Sequence, residues 1–355
     1  MWNVGEKMIK VINLDKGKEW DEIVRSFAKY DVYYLSGYVK AFQLNGDGEP
    51  LLLYFEGDGT RAINVVMKRD IGKYEKLLPF VGENTYFDFT TPYGYGGFLI
   101  EGEDVAQLNA EYIDYCKCNQ IVSEIVRFHP LLKNQACAEK IYDEVCLGKT
   151  IAIDTTSPEK IWANFSSKNR NMVRKAQKSG LQVYWTRDGD IIGTFMDLYN
   201  ATMDKDQAAD YYYFDRTFYE SILNDLKYNA LWFYTKLKQK IVAISIFLFA
   251  NGKMHYHLSA SNNEYRSMAP TNLLLYEAAL WACENGYKTL HLGGGLGAAL
   301  DNLYSFKKAF NRGSDCDFYL GKKIFCKEVY EDFVNYRRKE VSFDKESSFF
   351  PLYRA

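Results

Sequence analysis

The stretch "NLYSFKKAF", residues 302–310, sets two adjacent lysines between phenylalanines. On a helix, at ~100° per residue, Leu303, Phe306 and Phe310 share one face; Lys307 lies ~40° from Leu303, whereas Lys308 points ~140° away. Lys307 therefore emerges beside aromatics, where low local dielectric lets an ammonium stabilise a developing oxyanion or a phosphate through a charge-assisted hydrogen bond. The plain alternative is a snorkelling lysine, its stem on apolar surface and its head in water. Just upstream, "HLGGGLGAAL" (291–300) places Gly293, Gly295 and Ala298 in the loosest form of G-x-G-x-x-A, with Asp315 roughly where a ribose-binding acid would fall. No G-x-x-x-x-G-K-[ST] occurs anywhere, so a phosphate-binding P-loop is excluded.

Three further clusters could bind a substrate. "SSKNRNMVRKAQKSG" (166–180) carries Lys168, Arg170, Arg174, Lys175 and Lys178 with no acid among them. On a helix, Arg170, Arg174 and Lys178 form a stripe. Like charges four residues apart repel by a few tenths of a kcal/mol, so the stripe suits either a bound phosphate or a solvated face. Arg266 stands just before a helix opened by Pro270 and stopped by Gly286, and a helix start offers free N–H groups to an anion. "FDFTTPYGYGG" (87–97) places Tyr93 and Tyr95 between glycines, which suits the wall of a cleft or a rigid strand connection. His255 and His257 alternate on a strand without an acidic or cysteine partner at ligand spacing, so no metal site is expected.

The elements that must position these residues follow from pattern. A chain of 355 residues suggests two domains, and a net charge of −2 gives no global basic field toward DNA or anionic lipid. Seven cysteines without a paired C-x-x-C spacing argue for a reducing compartment. "MWNVGEKMIK" has no apolar leader core, and the longest apolar run, "IVAISIFLFA" (241–250), is about half a membrane span. A cytoplasmic protein without a transmembrane segment is expected. Helices are read at 19–30, 36–43, 104–119, 158–179, 190–203, 216–226 and 270–285. Strands are read at 50–57, 60–69, 75–82, 120–129, 149–154, 230–238, 240–250, 253–261 and 288–292. Helices, hairpin-linked strands, then a helix and another strand appear twice. Turns at "NGDGEP", "EGDGT" and "ANGK" favour antiparallel meanders over a doubly wound dinucleotide fold.

"NRNMVRKAQKSGL", "HLSASNNEYRSMAPTNLLLYEAALWACENGYKTLHLGGG" and "NLYSFKKAF", in that order, resemble the acyltransferase domain of the FemABX family. These are peptidoglycan bridge-forming aminoacyltransferases within the wider GNAT superfamily. "TTPYGYGGFL" and "EIVRFHPLL" are similar to that family's N-terminal domain. The resemblance implies an α+β chain of two tandem GNAT-like domains with mixed, mostly antiparallel sheets flanked by helices. The implied bounds are 1–152 and 153–320, with 321–355 packing back on the first domain.

The resemblance also implies N-acyl transfer of an aminoacyl or acyl group to an amine of a peptidoglycan or surface-glycan precursor. Lys307 would stabilise charge, Phe306 would position it, and Tyr304 and His257 would be candidate proton carriers. Arg170, Arg174, Arg266, Tyr93, Tyr95, Gly294 and Gly295 would bind substrate, the glycines as a flexible rim. No tightly bound cofactor is implied. "RSMAPT" keeps the arginine but neither glycine of the Q/R-x-x-G-x-G/A loop of acetyl-CoA enzymes, and no long charged helical hairpin for tRNA is present. The donor thus stays open between aminoacyl-tRNA and acyl-CoA. The acceptor would be a small-molecule or lipid-linked precursor, which leaves peripheral membrane association open. The rivals are an acetyl-CoA-dependent acetyltransferase on another small amine and a catalytically silent tandem-GNAT binding protein.

Overall fold

Turn residues divide the apolar runs of this chain into strands, and the computed structural model, which describes residues 9–57 and 59–355, follows most of those divisions. The opening residues read above for a leader lie, up to Met8, outside the described residues. In chain order, β1 (Ile9–Asn13), α1 (Gly17–Ser26) and α2 (Ser36–Leu44) precede β2 (Glu49–Gly57), β3 (Thr60–Asp70), β4 (Phe87–Thr90) and β5 (Leu99–Glu101). Then come α3 (Val105–Cys118), β6 (Ile121–Arg127), α4 (Gln135–Ala138) and β7 (Asp143–Asp154). The chain continues through α5 (Pro158–Asn164), α6 (Ser167–Lys178), β8 (Leu181–Thr186), α7 (Ile191–Lys205) and α8 (Arg216–Asp225). After β9 (Ala230–Leu237), β10 (Lys240–Ala250) and β11 (Lys253–Ser261) it forms α9 (Pro270–Glu284), β12 (Thr289–Gly293), α10 (Asn302–Lys308), β13 (Cys316–Ile324) and α11 (Lys327–Arg337).

The chain makes two compact units, Met1–Leu147 together with Phe318–Ala355, and Gly148–Asp317. In the first, strands run in the order β1-β2-β3-β4-β6-β13 with β5 on β3. β4 and β6 run parallel, and the other strand pairs among the described residues of this unit are antiparallel. In the second, the order is β7-β12-β11-β10-β9-β8, with β11 and β12 parallel and the other pairs antiparallel. The α+β expectation of mixed, mostly antiparallel sheets flanked by helices holds.

Local chemistry explains the elements that carry the site. The β10–β11 turn uses Asn251 (φ 44) and Gly252 (φ 74), the two positive angles that a two-residue hairpin of matching twist requires. β10 is buried along nearly all its length, so "IVAISIFLFA" is a strand covered on both faces. Among the described residues no helix is long and apolar enough to cross a membrane. α9 begins at Pro270 and is followed by Gly286 at φ 78, with Leu274, Ala278 and Ala282 wholly buried on one stripe. That stripe packs with Val173 and Ala176 of α6, Phe233, Phe247 and Leu290 of the sheet, and Phe310.

Two expected elements differ. Residues 75–82 form turns in place of a strand: Val81 N donates to Leu77 O at 3.0 Å and Leu78 N to Tyr74 O at 2.9 Å. Leu77 and Val81, four apart and both buried, share a cluster with Tyr330 and Phe333 of α11, whereas Leu78 and Phe80 are exposed. The apolar spacing was that of a helical turn. The single helix expected at 158–179 is two, α5 and α6, because the Ser166 hydroxyl accepts from Asn169 N at 3.1 Å and so caps a new start, while Phe165 is extended and buried.

In the first unit, Asp88 is fully buried and accepts from Arg69 Nε (2.7 Å), Arg354 Nε (2.6 Å) and the Tyr353 hydroxyl (2.9 Å). Burial alone would push its carboxyl up; the two guanidiniums reverse this and hold it below the usual carboxylate range. A lowered folded pKa contributes stability at neutral pH that is lost as pH falls through it. Arg354→Met removes one of the two charges that compensate Asp88. It is expected to cost about 2–3 kcal/mol in urea unfolding at pH 7, with less of that difference left at acid pH. A loss under about 0.5 kcal/mol would show that Arg69 alone suffices.

Candidate active site

The second unit brings the glycine stretch and the lysine helix together. β12 ends at Gly293 (φ 74), and the chain turns through Gly294, Gly295 and Gly297 (φ 57) before α10. Lys307, on α10, is 8% exposed, and its Nζ donates to Gly294 O at 2.6 Å. Desolvation brings its pKa down to about 8, while the Asp301 carboxylate opposes the fall. An ammonium has three donors, and among the described residues one carbonyl accepts from it. The group is a buried cation with donor capacity left for a ligand oxygen.

The surrounding hydrogen bonds fix α10 in place. Asp301 caps it by accepting from Tyr304 N (2.8 Å) and also from Leu296 N (2.9 Å) on the glycine rim. Beyond its end, Ser166 N donates to Ala309 O (2.9 Å), Asn311 Nδ2 to Ala152 O (2.6 Å) and Arg312 Nη2 to Ala163 O (2.6 Å). A side chain at Gly295 has no room: its Cβ would stand 2.1 Å from Ala299 O and 2.4 Å from Asp301 Oδ1.

The other candidates fall out as follows. Phe306 is partly buried, its ring 5.4 Å from Phe310, so it anchors α10 to the core. Leu303, expected on the same inward face, is 43% exposed: it sits in the first turn at the rim, near exposed Leu296 and Leu300, and Lys307 takes the inner position. Tyr304 donates its phenol to Asp315, which also pairs with Lys308. Burial and that carboxylate raise the phenol pKa to about 12, far from a proton carrier's working range. The imidazole of His257 is desolvated, with His255 beside it, and its pKa is lowered to about 3. It is neutral and a poor proton acceptor at physiological pH, which argues against the proton-carrying role.

Arg170 closes a helix end: Nη1 donates to Phe165 O at 2.6 Å and Nη2 to Ser167 Oγ at 3.2 Å, a cation placed where α5 exposes its last carbonyls. Arg174 is exposed on α6, its guanidinium 5.1 Å above the Trp162 ring. Arg266 is exposed in the short segment before α9. Tyr93 and Tyr95 belong to the first unit. There Tyr93 stacks on Phe42 at 5.7 Å, and Tyr95 lies 5.4 Å from Tyr33 and 5.5 Å from His129.

Sequence reading missed Asp301 and the pair Asn169–Asn272, and it placed Asp315 in a dinucleotide pattern where the structure has it bound to Tyr304 and Lys308. The signal for Asp301 was present, an Asp three residues before Tyr304 at a helix start. Asn169, 1% exposed, accepts from Asn272 Nδ2 at 2.7 Å and joins the first turns of α6 and α9; nothing in local pattern marks it.

Residues 163–308 match the acetyltransferase (GNAT) domain family. The second unit is therefore an acyltransferase domain of the GNAT class. Among solved structures the chain is similar to FemX, with a TM-score of 0.64 and 16% identity over 91% of this chain and 99% of that one. It is also similar to a conserved protein of unknown function from Bacteroides thetaiotaomicron, with a TM-score of 0.59 and 13% identity over 89% and 99% of the two chains. A third is the C-terminal domain of a proposed lysylphosphatidylglycerol synthetase from Agrobacterium fabrum, with a TM-score of 0.52 and 12% identity over 90% and 96%. No curated protein matches the chain. The chain thus carries a GNAT acyltransferase domain over residues 163–308 and shares its fold with FemX.

Gly295→Ala is expected to force Ala299 and Asp301 apart and to cost about 1–3 kcal/mol in thermal or urea unfolding. Gly297→Ala meets open space and carries only the strain of φ 57, so it should cost less. Equal costs would mean that the rim yields freely around Gly295.

Proposed function

We propose that the second unit transfers an aminoacyl or acyl group from an activated ester or thioester to an amine of a cell-envelope precursor, peptidoglycan or surface glycan, with Lys307 as the charge-stabilising group. The observation that carries this reading is the buried Lys307 ammonium held at the glycine rim of an acyltransferase domain. The FemX-like fold and the order of the sequence motifs support the envelope acceptor and the aminoacyl donor.

In the reaction, the amine attacks the acyl carbonyl, a C–N bond forms, and the carbonyl electrons move onto oxygen. Lys307 donates to that oxyanion, where an oriented cation in a dry site is worth most. The C–O or C–S bond then breaks as the carbonyl re-forms, and the proton shed by the amine goes to the leaving group or to water. No histidine or tyrosine is needed as a base, in keeping with the states of His257 and Tyr304. Phe306 anchors the helix, and Gly294 and Gly295 let the rim approach the acyl group. Arg174 and Arg266 hold phosphates of donor or acceptor. Arg170 keeps the α5 end beside them in place. Tyr93 and Tyr95 act within the first unit as walls of its aromatic loop.

Acyl-CoA is the co-substrate in GNAT proteins, and the match of residues 163–308 favours it as a second donor. The test offers acetyl-CoA and alanyl-tRNA in parallel to UDP-linked and lipid-linked muropeptides, with products read by mass spectrometry. Envelope acylation by either donor supports the reading; acetylation of simple amines alone overturns the acceptor. Lys307→Met should lower kcat by about 100-fold or more with little change in stability. Because the ammonium is the working form, turnover should fall as pH rises through about 8. A rate that rises through that pH would make Lys307 a base, full activity of Lys307→Met would remove it from the chemistry, and no acylation of any acceptor by the unaltered protein would leave a silent binding protein.

A further inference from the structure

Asp301 has three relations to Lys307, and each rests on a different part of the structure. It caps the helix that carries the lysine, through Tyr304 N at 2.8 Å. It closes the rim that supplies the lysine's acceptor, through Leu296 N at 2.9 Å, two residues beyond Gly294. Its carboxylate also packs so tightly against Gly295 that a methyl there would lie 2.4 Å from Oδ1.

The other charged and titratable groups around Lys307 are committed elsewhere. On α10 and the loop after it, Tyr304 and Lys308 are bound to Asp315. On β12, the His291 ring meets Thr150 Oγ1 at 2.9 Å, and on β7 Lys149 pairs with Asp317 at 2.7 Å. On α6 the Arg170 guanidinium holds the Phe165 carbonyl, and in the segment after α10 Arg312 holds that of Ala163.

We propose that Asp301 is a positioning residue for acyl transfer: one carboxylate ties the start of α10 to the glycine rim and supplies the negative charge in whose field the Lys307 ammonium is held. This rests on the role of Lys307 given above. Asp301 suits the task because its own carboxyl is held low, chiefly by the Tyr304 and Leu296 amides, and so stays ionised. Its charge favours the protonated lysine against the desolvation that opposes it.

The test compares Asp301→Asn with Asp301→Glu. Asn keeps an oxygen for the amides but loses the charge, whereas Glu keeps the charge on a longer arm. Asp301→Ser, a cap without charge, guards against a misfolded Asn variant. Two readouts are taken across pH. The first is acetic anhydride labelling of Lys307, followed in its peptide by mass spectrometry, which needs no substrate. The second is turnover with whichever of alanyl-tRNA and acetyl-CoA supports it. In the Asn and Ser variants the labelling midpoint should move to lower pH, and turnover at pH 8 should fall by about threefold or more while holding better near pH 6.5. The Glu variant should recover most of both. An unchanged labelling midpoint in folded Asn and Ser variants overturns the proposal. A midpoint that moves while the alkaline limb of turnover stays put overturns the role of Lys307 on which it rests, and leaves the electrostatic coupling standing.

Discussion

The site depends on a cation kept where water is scarce. A lysine whose pKa drops from 10.5 to about 8 has lost proton affinity equivalent to about 3 kcal/mol, so the Gly294 carbonyl and the Asp301 charge do not fully replace its hydration. That shortfall is what makes the group useful. In the proposed reaction an oxyanion arriving beside it would recover the missing interaction, so the ammonium would bind the transition state more strongly than the neutral carbonyl that precedes it. A lysine with a full complement of partners would hold the same place with no preference for developing charge.

Keeping Lys307 there falls to its neighbours. α10 is seven residues long and too short to be stable by itself, so its ends are tied down. Asp301 fixes the start. The segment after it is stitched to β7 through Asn311, and to the α5 end through Ser166 and Arg312. Arg170 completes the same α5 end. The basic run on α6 thus divides: one guanidinium is bound into the scaffold beneath the site, while Arg174 remains exposed on Trp162. A spare-looking stripe of charge is partly a helix cap.

Much of this was legible in sequence because it rests on local rules. Pro270 and Gly286 bounded α9, the Asn251–Gly252 pair set the β10–β11 hairpin, and the order of helices and hairpins pointed to antiparallel sheets. The wheel of 302–310 set Lys307 among aromatics but put Leu303 inside, because a wheel knows direction and not where the core ends. Apolar content alone reads residues 75–82 as a strand, although the four-residue spacing of Leu77 and Val81 is that of a turn. The states of His257 and Tyr304 were out of reach. Both follow from burial and from partners, His255 and Asp315, whose effect depends on the folded chain. Asn169 and Asn272 lie 103 positions apart, and only packing of α6 on α9 joins them.

The most direct measurement is an NMR titration of the Lys307 Nζ, once in the free protein and once with a phosphonate analogue of the tetrahedral acyl-transfer intermediate bound. If the ammonium stabilises the oxyanion, its midpoint starts near 8 and rises when the anionic analogue binds. A midpoint near that of an exposed lysine, or one that the bound analogue leaves unmoved, would contradict the account.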